Sequence, residues 1–144
     1  MNIREAILSD VQALADLATQ LGYPSTAEEM AGRLERLGGR TGNGVLVAED
    51  ESGVVGWLHV AGMYFLESPS FAEVLGLIVD EAHRGQGIGK RLLDGAARWA
   101  ADHGFDKLRV RSNVVREDAH RFYEREGFRR VKTQVVLDRA LREG

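Results

Sequence analysis

Apolar residues recur at two different spacings along the chain, and the two spacings separate predicted helices from predicted strands. Val11, Leu14 and Leu17 fall on one face at helical spacing, which predicts a helix that begins at the capping-box sequence of residues 9–12. A second capping-box sequence, residues 25–28, predicts another helix directly after it. Further on, helical spacing predicts a long helix from Ile88 to Trp99 and a short one over residues 118–125.

Short segments between these helices predict strands, most clearly the two apolar runs on either side of the hairpin turn at residues 50–53. The segments cover residues 2–6, 44–49, 54–65, 71–79, 107–111 and 128–137. Their order with the helices is β-α-α-β-β-β-α-β-α-β, which predicts an α/β fold with a mixed sheet and helices on both faces. Because no repeat, low-complexity stretch or linker interrupts the pattern, we expect a single domain over residues 1–144.

Composition narrows the class of protein. The chain has 144 residues, of which 44% are hydrophobic and 28% charged, as in ordinary globular domains. No apolar run approaches the roughly 18 residues of a membrane helix, and there is no signal-peptide pattern. The lack of cysteine excludes disulfides and thiol nucleophiles, and the net charge of −3 gives no basic field for nucleic acid. We therefore expect a cytoplasmic protein without a nucleic-acid or membrane partner, and the four histidines show no metal-ligand spacing.

The most informative segment runs from a buried strand through a glycine-rich turn into the long helix. Glycines at positions 85, 87 and 89 allow backbone amides to approach a ligand, and a helix N-terminus stabilises an anion. The segment is not a Walker A loop, because Arg84 occupies the position of the first glycine and Arg91 that of the hydroxyl residue. The glycine spacing also differs from the dinucleotide fingerprint. From the glycines alone, a turn that serves only helix packing stays an equal alternative.

Two motifs together resemble those of the GNAT acetyltransferases. The first is Arg84-x-x-Gly87-x-Gly89 after its strand, and the second is Asn113, then Ala119-x-x-x-Tyr123-x-x-x-Gly127-Phe128. With the element order, the resemblance covers nearly the whole chain. It implies the GNAT fold, with a mostly antiparallel central sheet of six to seven strands, and acetyl-CoA as cosubstrate without a metal.

The resemblance also implies which residues contact acetyl-CoA. The diphosphate would lie on the turn and the pantetheine arm beside the preceding strand, with Asn113 as a further contact to that arm. The remaining residues of this set are Leu77, Ile78, Val79, Arg84, Gly85, Gln86, Gly87, Ile88, Gly89 and Lys90. Many family members have proline where Glu81 stands and an aromatic ring where His83 stands, but neither position supplies an amide of the turn.

Two residues are candidates for catalysis. The resemblance implies that Tyr123 is the acid that meets the departing CoA sulfur, with a core aromatic as the alternative. Glu73, in the strand before the turn, resembles the general base of histone-type acetyltransferases. A solvated strand carboxylate, or an ordered water as the base, is the alternative there. Arg109 and Arg111, which alternate on the next strand, are interpreted as a solvated face.

The sequence predicts the class of the amine acceptor less specifically than it predicts the cofactor. The second motif is similar to those of aminoalkylphosphonate and aminoglycoside acetyltransferases, so we expect a small primary amine, attacked directly in a ternary complex. Residues 21–24 and 63–65 would wall its pocket. The acidic net charge mildly favours a cationic acceptor, whereas Arg116, Arg121 and Lys132 would serve an anionic tail such as a phosphonate, and both options stay open. The alternatives are a protein amine, at an N-terminus or a lysine, and a non-catalytic acyl-CoA-binding regulatory module. Homodimer formation is left open.

Overall fold

The computed structural model describes residues 1–38, 42–112 and 115–142, and the chain divides into two compact units, Met1–Arg111 and Ser112–Gly144. The strands of the first unit are β1 (Asn2–Glu5), β2 (Asn43–Asp50), β3 (Gly53–Met63), β4 (Phe71–Val79) and β5 (Leu108–Val110). Its helices are α1 (Val11–Gln20), α2 (Ala27–Gly38) and α3 (Ile88–Asp102), with 3₁₀ turns at Leu8–Asp10 and Glu81–His83. The second unit contains α4 (Glu117–Arg125). None of the helices in these described ranges has the length and apolar character of a membrane span.

The strands of the first unit form one sheet in the order β1-β2-β3-β4-β5. Neighbouring strands from β1 to β4 pair antiparallel, whereas β4 and β5 pair parallel. A parallel pair needs a crossover connection, and α3 provides it between β4 and β5. The prediction of a mixed sheet in an α/β fold is confirmed.

Helices cover both faces of this sheet. Gly56 and Trp57 are neighbours in β3, so they point to opposite faces. A Cβ at Gly56 would lie 3.2 Å from Leu92 and 3.3 Å from Ile88, both in α3. Trp57 packs instead against the buried cluster to which Leu17 of α1 belongs. Therefore α3 lies on one face and α1 on the other, as predicted.

The start of α2 differs from the predicted cap by one residue. Thr26 and Glu29 form the capping box, in which the Thr26 amide donates to Glu29 Oε1 at 2.9 Å and the Glu29 amide to Thr26 Oγ1 at 3.0 Å. The hydroxyl of Ser25 is engaged elsewhere, since it donates to the Tyr23 carbonyl and accepts from Arg33. The Ser25 cap was therefore wrong, although the helix that it predicted exists.

The cap of α1 differs as well. This helix begins at Val11 after a 3₁₀ turn, and Ser9 lies inside that turn. The side chain that accepts a backbone hydrogen bond there is Asp10, from the Ile7 amide at 2.8 Å. Asp10 is also held by Arg4, which fixes its position against the start of the sheet.

The predicted closing strand over residues 128–137 is wrong, and with it the count of six to seven strands. The described residues contain one five-stranded sheet, and residues 128–140 form no strand. Phe128 at its start is partly buried, but the apolar side chains that follow are 65% to 86% exposed: Val131, Val135, Val136 and Leu137. A strand exists only where a neighbour satisfies its backbone, and β-branched composition does not specify that neighbour.

Candidate functional site

The turn between β4 and α3 leaves a run of backbone donors without partners. Gly85 and Gly87 have φ angles of +81° and +78°, in the left-handed region that glycine tolerates best. Gly87 is the N-cap of α3, and its carbonyl accepts from the Arg91 amide at 3.1 Å. Within the described ranges, no group accepts a hydrogen bond from the amides of Gly85, Gln86, Gly87, Ile88 and Gly89.

The space beside these amides is open. A Cβ added at Gly85 or Gly87 would meet no atom within 4 Å. The start of α3 contributes the positive end of its dipole, and the exposed side chains of Arg84 and Lys90 flank the turn. Several converging donors beside a helix N-terminus are suited to an anion with several oxygens, such as a diphosphate. The residues present therefore fit the diphosphate of CoA.

The strand that leads into the turn has an open edge. β4 pairs with β5 only over residues 72–74, so within the described part of the chain its edge from Leu75 to Val79 adjoins no further strand. Backbone groups on such an edge can pair with an extended ligand that carries amides. Leu77, Ile78 and Val79 all lie on this edge, as the predicted cofactor contacts require. The Ile78 side chain is buried in the cluster with Leu17, so only its backbone is available to a ligand.

A one-residue bulge in β4 decides which face Glu73 occupies. The register of β3 and β4 shifts beside Leu75, the extra residue of β4. Ile78 pairs with Trp57, and Glu73 pairs with Ala61. Because Trp57 and Ala61 are four residues apart in β3, they point to the same face. Glu73 therefore lies on the face against which α1 packs.

Glu73 is buried, with 3% of its surface exposed. Its Oε1 accepts a hydrogen bond from Arg111 Nε at 2.9 Å. A buried charge requires a partner, and this guanidinium provides it. The interpretation of Glu73 as a solvated carboxylate is therefore wrong, as is that of Arg111 as part of a purely solvated face.

Arg109 differs from Arg111 in what it contacts. Its guanidinium carbon lies 4.2 Å from the centre of the Phe71 ring, and Lys107 Nζ lies 4.8 Å from the same centre. Both are cation–π contacts in which the nitrogens of the cation stay available for hydrogen bonds. Because Arg109 and Arg111 alternate in sequence and contact Phe71 and Glu73, all four share one face. Positive charge thus surrounds the buried carboxylate.

Tyr123 lies in α4, in the second unit, so the two predicted catalytic residues belong to different units. It is half-buried, and its ring contacts those of Phe122 and Phe128, with centroids 5.2 and 5.7 Å away. Burial raises the pKa of its phenol, against an opposing effect of Arg116. Ala119 precedes it by one helical turn, as the second motif requires. Asn113 lies outside the described residues.

A polar network beside the glycine-rich turn was not predicted from the sequence. His83 Nδ1 lies 2.6 Å from Asp80 Oδ2, and His83 Nε2 lies 3.5 Å from Asp50 Oδ2. Asp80 Oδ1 accepts from Gln20 Nε2 at 2.7 Å, and Gln20 Oε1 accepts from the Glu81 amide at 3.1 Å. The network joins the end of α1, the β2–β3 turn and the 3₁₀ turn before Arg84. Only the three-residue spacing of Asp80 and His83 after a strand hinted at it.

Comparison with known proteins decides the family. Residues 11–128 match the sequence profile of the acetyltransferase (GNAT) family, a range that includes both motifs, Glu73 and Tyr123. The chain belongs to the GNAT acetyltransferase family. The family predicted from the two motifs is therefore confirmed, and GNAT acetyltransferases take their acetyl group from acetyl-CoA.

Individual relatives agree with the family. An aminoalkylphosphonate N-acetyltransferase of Salmonella typhimurium is 36% identical over 77 residues, which are 53% of this chain and 50% of that protein. The chain thus spans about half the length of the curated relative that it matches. A crystallised transcriptional regulator from Bacillus halodurans C-125 has a TM-score of 0.84 at 25% identity, over 95% of this chain and 98% of its own.

A more distant solved structure shows the same GNAT fold. The aminoglycoside N-acetyltransferase AAC(6′)-Iy, crystallised with CoA, has a TM-score of 0.84 at 16% identity, over 97% of this chain and 94% of its own. At this identity the likeness concerns the fold alone. Neither the roles of Tyr123 and Glu73 nor the individual cofactor contacts follow from these comparisons.

Proposed function

We propose that this GNAT domain is an acetyl-CoA-dependent N-acetyltransferase that transfers the acetyl group directly to a primary amine of a small molecule in a ternary complex. The observation that carries the proposal is the run of five amides on the open turn from Gly85 to Gly89 that have no acceptor among residues 1–38, 42–112 and 115–142. A turn that served only helix packing would have no reason to leave both its donors and the adjoining space open.

The cofactor contacts follow from the turn and the strand before it. The amides of the turn would hold the diphosphate, flanked by Arg84 and Lys90. The backbone of β4 from Leu77 to Val79 would pair with the pantetheine arm, and Asn113 would contact the same arm. When bound, acetyl-CoA supplies the acetyl group as a thioester. The residues of this chain orient it and manage the protons.

Tyr123 is proposed as the group that meets the sulfur. A phenol ordinarily titrates near 10 and a thiol near 8.5, and burial raises the pKa of Tyr123 further. Its hydroxyl therefore keeps its proton at neutral pH. A hydrogen bond from that hydroxyl to the developing thiolate stabilises the charge without complete proton transfer.

Glu73 is proposed as the general base. An alkyl ammonium has a pKa near 10.4, so the acceptor must lose a proton before it can attack a thioester. The Glu73 carboxylate lies on the α1 face, and within the described residues its one hydrogen-bond donor is Arg111. Acceptor positions therefore remain on both oxygens, which would take the proton directly or through an ordered water.

For the acceptor we propose a small amine with an anionic group. Arg109 and Lys107 place positive charge beside Glu73, over the Phe71 ring. A polycationic acceptor would be repelled there, whereas a carboxylate, phosphate or phosphonate would be attracted. The Salmonella relative is by name an aminoalkylphosphonate acetyltransferase, which agrees with this choice. Arg116, Arg121 and Lys132, the cations predicted from the sequence, belong to the second unit and remain a prediction.

Thiol release from acetyl-CoA tests the proposal. Aminoalkylphosphonates, polyamines, aminoglycosides and N-terminal peptides are compared at equal concentration, with CoA affinity measured separately by calorimetry. We expect CoA to bind and the aminoalkylphosphonates to release thiol fastest. Release with peptides or whole proteins alone would favour a protein acetyltransferase. Binding of CoA without thiol release for any amine would favour a non-catalytic regulatory module. The Bacillus halodurans protein, which is named a transcriptional regulator, is the reason to test this alternative.

The predictions of a cytoplasmic location, of a homodimer and of a single domain over the whole chain remain predictions. Size-exclusion chromatography with light scattering measures the assembly directly. Limited proteolysis with and without CoA would show whether the two units are protected together.

A further inference from the structure

We propose that His83 is a positioning residue for acetyl-CoA: its imidazole, held between Asp50 and Asp80, fixes the entrance to the glycine-rich turn. His83 immediately precedes Arg84, the first residue of that turn. The inference rests on the proposed function, because it assumes that the turn holds the diphosphate. It concerns a residue that is not itself among the predicted cofactor contacts.

The contacts of the ring define the arrangement. Nδ1 lies 2.6 Å from Asp80 Oδ2, and Nε2 lies 3.5 Å from Asp50 Oδ2. Because a carboxylate oxygen can only accept, the Nδ1 contact requires a hydrogen on Nδ1, which donates to Asp80. Nε2 faces the Asp50 carboxylate on the other side, so the ring stands between the two carboxylates and separates them.

Both carboxylates are set up to stay ionised. Hydrogen bonds from Gln20 and His83 lower the pKa of the Asp80 carboxyl. Hydrogen bonds from the Ser52 hydroxyl and amide lower the pKa of the Asp50 carboxyl. Without the imidazole, two like charges would therefore face each other across the space that the ring now fills, and they would push the β2–β3 turn away from the cofactor turn.

The backbone holds the 3₁₀ turn independently of this network. The His83 amide donates to the Asp80 carbonyl at 2.9 Å, and the Asp80 amide donates to the Val55 carbonyl at 2.8 Å. Loss of the side-chain contacts should therefore leave the fold in place and change only where the following turn sits. Because several amides must converge on one diphosphate, a small displacement lowers affinity.

The first experiment replaces the ring by one of similar size without nitrogens. For His83→Phe we expect the Kd for CoA, measured by calorimetry, to rise on the order of 10-fold, within the span of ordinary coupling between sites. The KM for acetyl-CoA should rise in parallel, while the KM for the amine changes little. Most of the loss should disappear at saturating acetyl-CoA, which separates positioning of the cofactor from catalysis.

The second experiment tests the charge argument by rescue. In the His83→Phe background, Asp50→Asn removes one of the two facing charges, so CoA affinity should recover in part. The matched control is Glu51→Gln in the same background, which removes the same charge from the neighbouring, exposed residue of the same turn. It should give no recovery. Asp50→Asn alone should weaken CoA binding by a smaller factor than His83→Phe.

The outcomes separate this inference from the function on which it rests. Wild-type protein without measurable CoA affinity would contradict the proposed function, and the inference with it. Wild-type binding together with an unchanged Kd in His83→Phe would overturn the role of His83 alone. Equal recovery with Asp50→Asn and Glu51→Gln would also overturn it, because a general charge effect would then explain the data. If His83→Phe lost its cooperative thermal transition, the smaller effect of Asp50→Asn on affinity would decide.

Discussion

Asp10 and Glu73 are the buried charged residues of the described part of the chain, with 6% and 3% of their surface exposed. Each faces an arginine, but their surroundings differ. Asp10 accepts two hydrogen bonds from Arg4, at 2.8 and 2.9 Å, and a third from the Ile7 amide at 2.8 Å. Glu73, among the same described residues, accepts one, from Arg111.

The difference agrees with a structural role for Asp10 and with the general-base role proposed for Glu73. Arg4 also contacts Glu49 through two nitrogens, so that Asp10 closes a network between the start of the chain and β2. A carboxylate in such a network has few acceptor positions left, and its proton affinity is low. Glu73, with one hydrogen-bond donor among the described residues, keeps acceptor positions, and it lies in the part of β4 that pairs with β5, just before the open edge of the strand. Burial alone therefore does not distinguish the two carboxylates, whereas the number of hydrogen bonds that each accepts does.

The largest expected effect is on Glu73. For Glu73→Gln we expect kcat/KM to fall by roughly 10² to 10⁴ near neutral pH, because the amide cannot accept the ammonium proton. The loss should shrink at high pH, where free amine is already abundant. A pH–rate profile of both proteins measures this. A loss that is the same at every pH would mean that Glu73 only positions the substrate, and no loss would place it with Asp10 among the structural carboxylates.

Replacement of Tyr123 tests the proposed hydrogen bond from its hydroxyl to the departing thiolate. Tyr123→Phe should lower kcat by roughly 10² to 10⁴ while the Kd for acetyl-CoA is retained. Because burial raises the pKa of this phenol, the phenol should lose its proton only above its ordinary value near 10. Its titration should therefore cause no fall in kcat below that pH. A variant with wild-type kcat would leave Tyr123 as a core aromatic.

Replacement of Gly87 tests cofactor binding separately from the rate of acetyl transfer. A side chain at φ +78° is strained, and Gly87→Val would also place a branched group beside the amides. We expect CoA affinity to fall on the order of 100-fold in calorimetry, that is by about 2.7 kcal/mol. Gly104→Val is the matched control, because Gly104 has φ +82° at the other end of α3, also with no atom within 4 Å. Equal loss of affinity in both variants would contradict the assignment of the turn.

Asp10 should show the opposite pattern to Glu73. For Asp10→Asn we expect the free energy of unfolding to fall by about 2 kcal/mol, since Arg4 loses a charged partner. The turnover of the folded protein should stay near wild type. Glu49→Gln, on the exposed side of the same arginine, should lower the free energy of unfolding by less than Asp10→Asn does, because exposed ion pairs contribute little. Urea denaturation of the three proteins, with kcat measured alongside, tests this. Loss of activity in folded Asp10→Asn would contradict the purely structural role of Asp10.

The smallest effect is the pH dependence of that stability. The hydrogen bond from Arg4 is the main cause of the lowered pKa of Asp10. A lowered folded-state pKa stabilises the fold above the unfolded value of about 3.9, and the contribution is lost as the pH falls through the folded value. The gap in unfolding free energy between wild type and Asp10→Asn should therefore be full at pH 7 and shrink below about pH 4. A gap of constant size from pH 7 to pH 3 would contradict the assignment.

The sequence was informative where a local pattern decides the structure. The bounds of β4 agree with the prediction, because an apolar run between turn residues is buried wherever the sheet places it. The start of α3 agrees as well, since glycines followed by helical spacing define a helix N-terminus. Residues 128–137 were predicted in error, because a strand depends on a neighbour that composition does not name. The cap of α2 moved from Ser25 to Thr26 because two adjacent hydroxyls fit one motif.

At the candidate site, the glycine-rich turn could be predicted from the sequence, but the partners of Glu73 and His83 could not. The glycines and the helix start appear within a few neighbouring residues, so the motif carries their geometry. The partner of Glu73 is Arg111, 38 residues further along the chain, and that of His83 is Asp50 on another turn. Such pairs depend on the register of the sheet, and a single sequence contains many other arginines and aspartates that could have served.

Because of the bulge at Leu75, the face of the sheet on which Glu73 lies depends on the number of residues in β4. Since Leu75 adds one residue to β4, positions 71 to 74 alternate out of step with positions 76 to 79. Deletion of that one residue would rotate the first half of the strand by half a turn and direct Glu73 toward α3, with Ala72 and Val74 exchanged to the α1 side. Every amino acid of the two motifs would remain, yet the carboxylate would be on the wrong side of the sheet. In this strand, the presence of one extra residue determines the position of the Glu73 side chain as much as the choice of glutamate determines its chemistry.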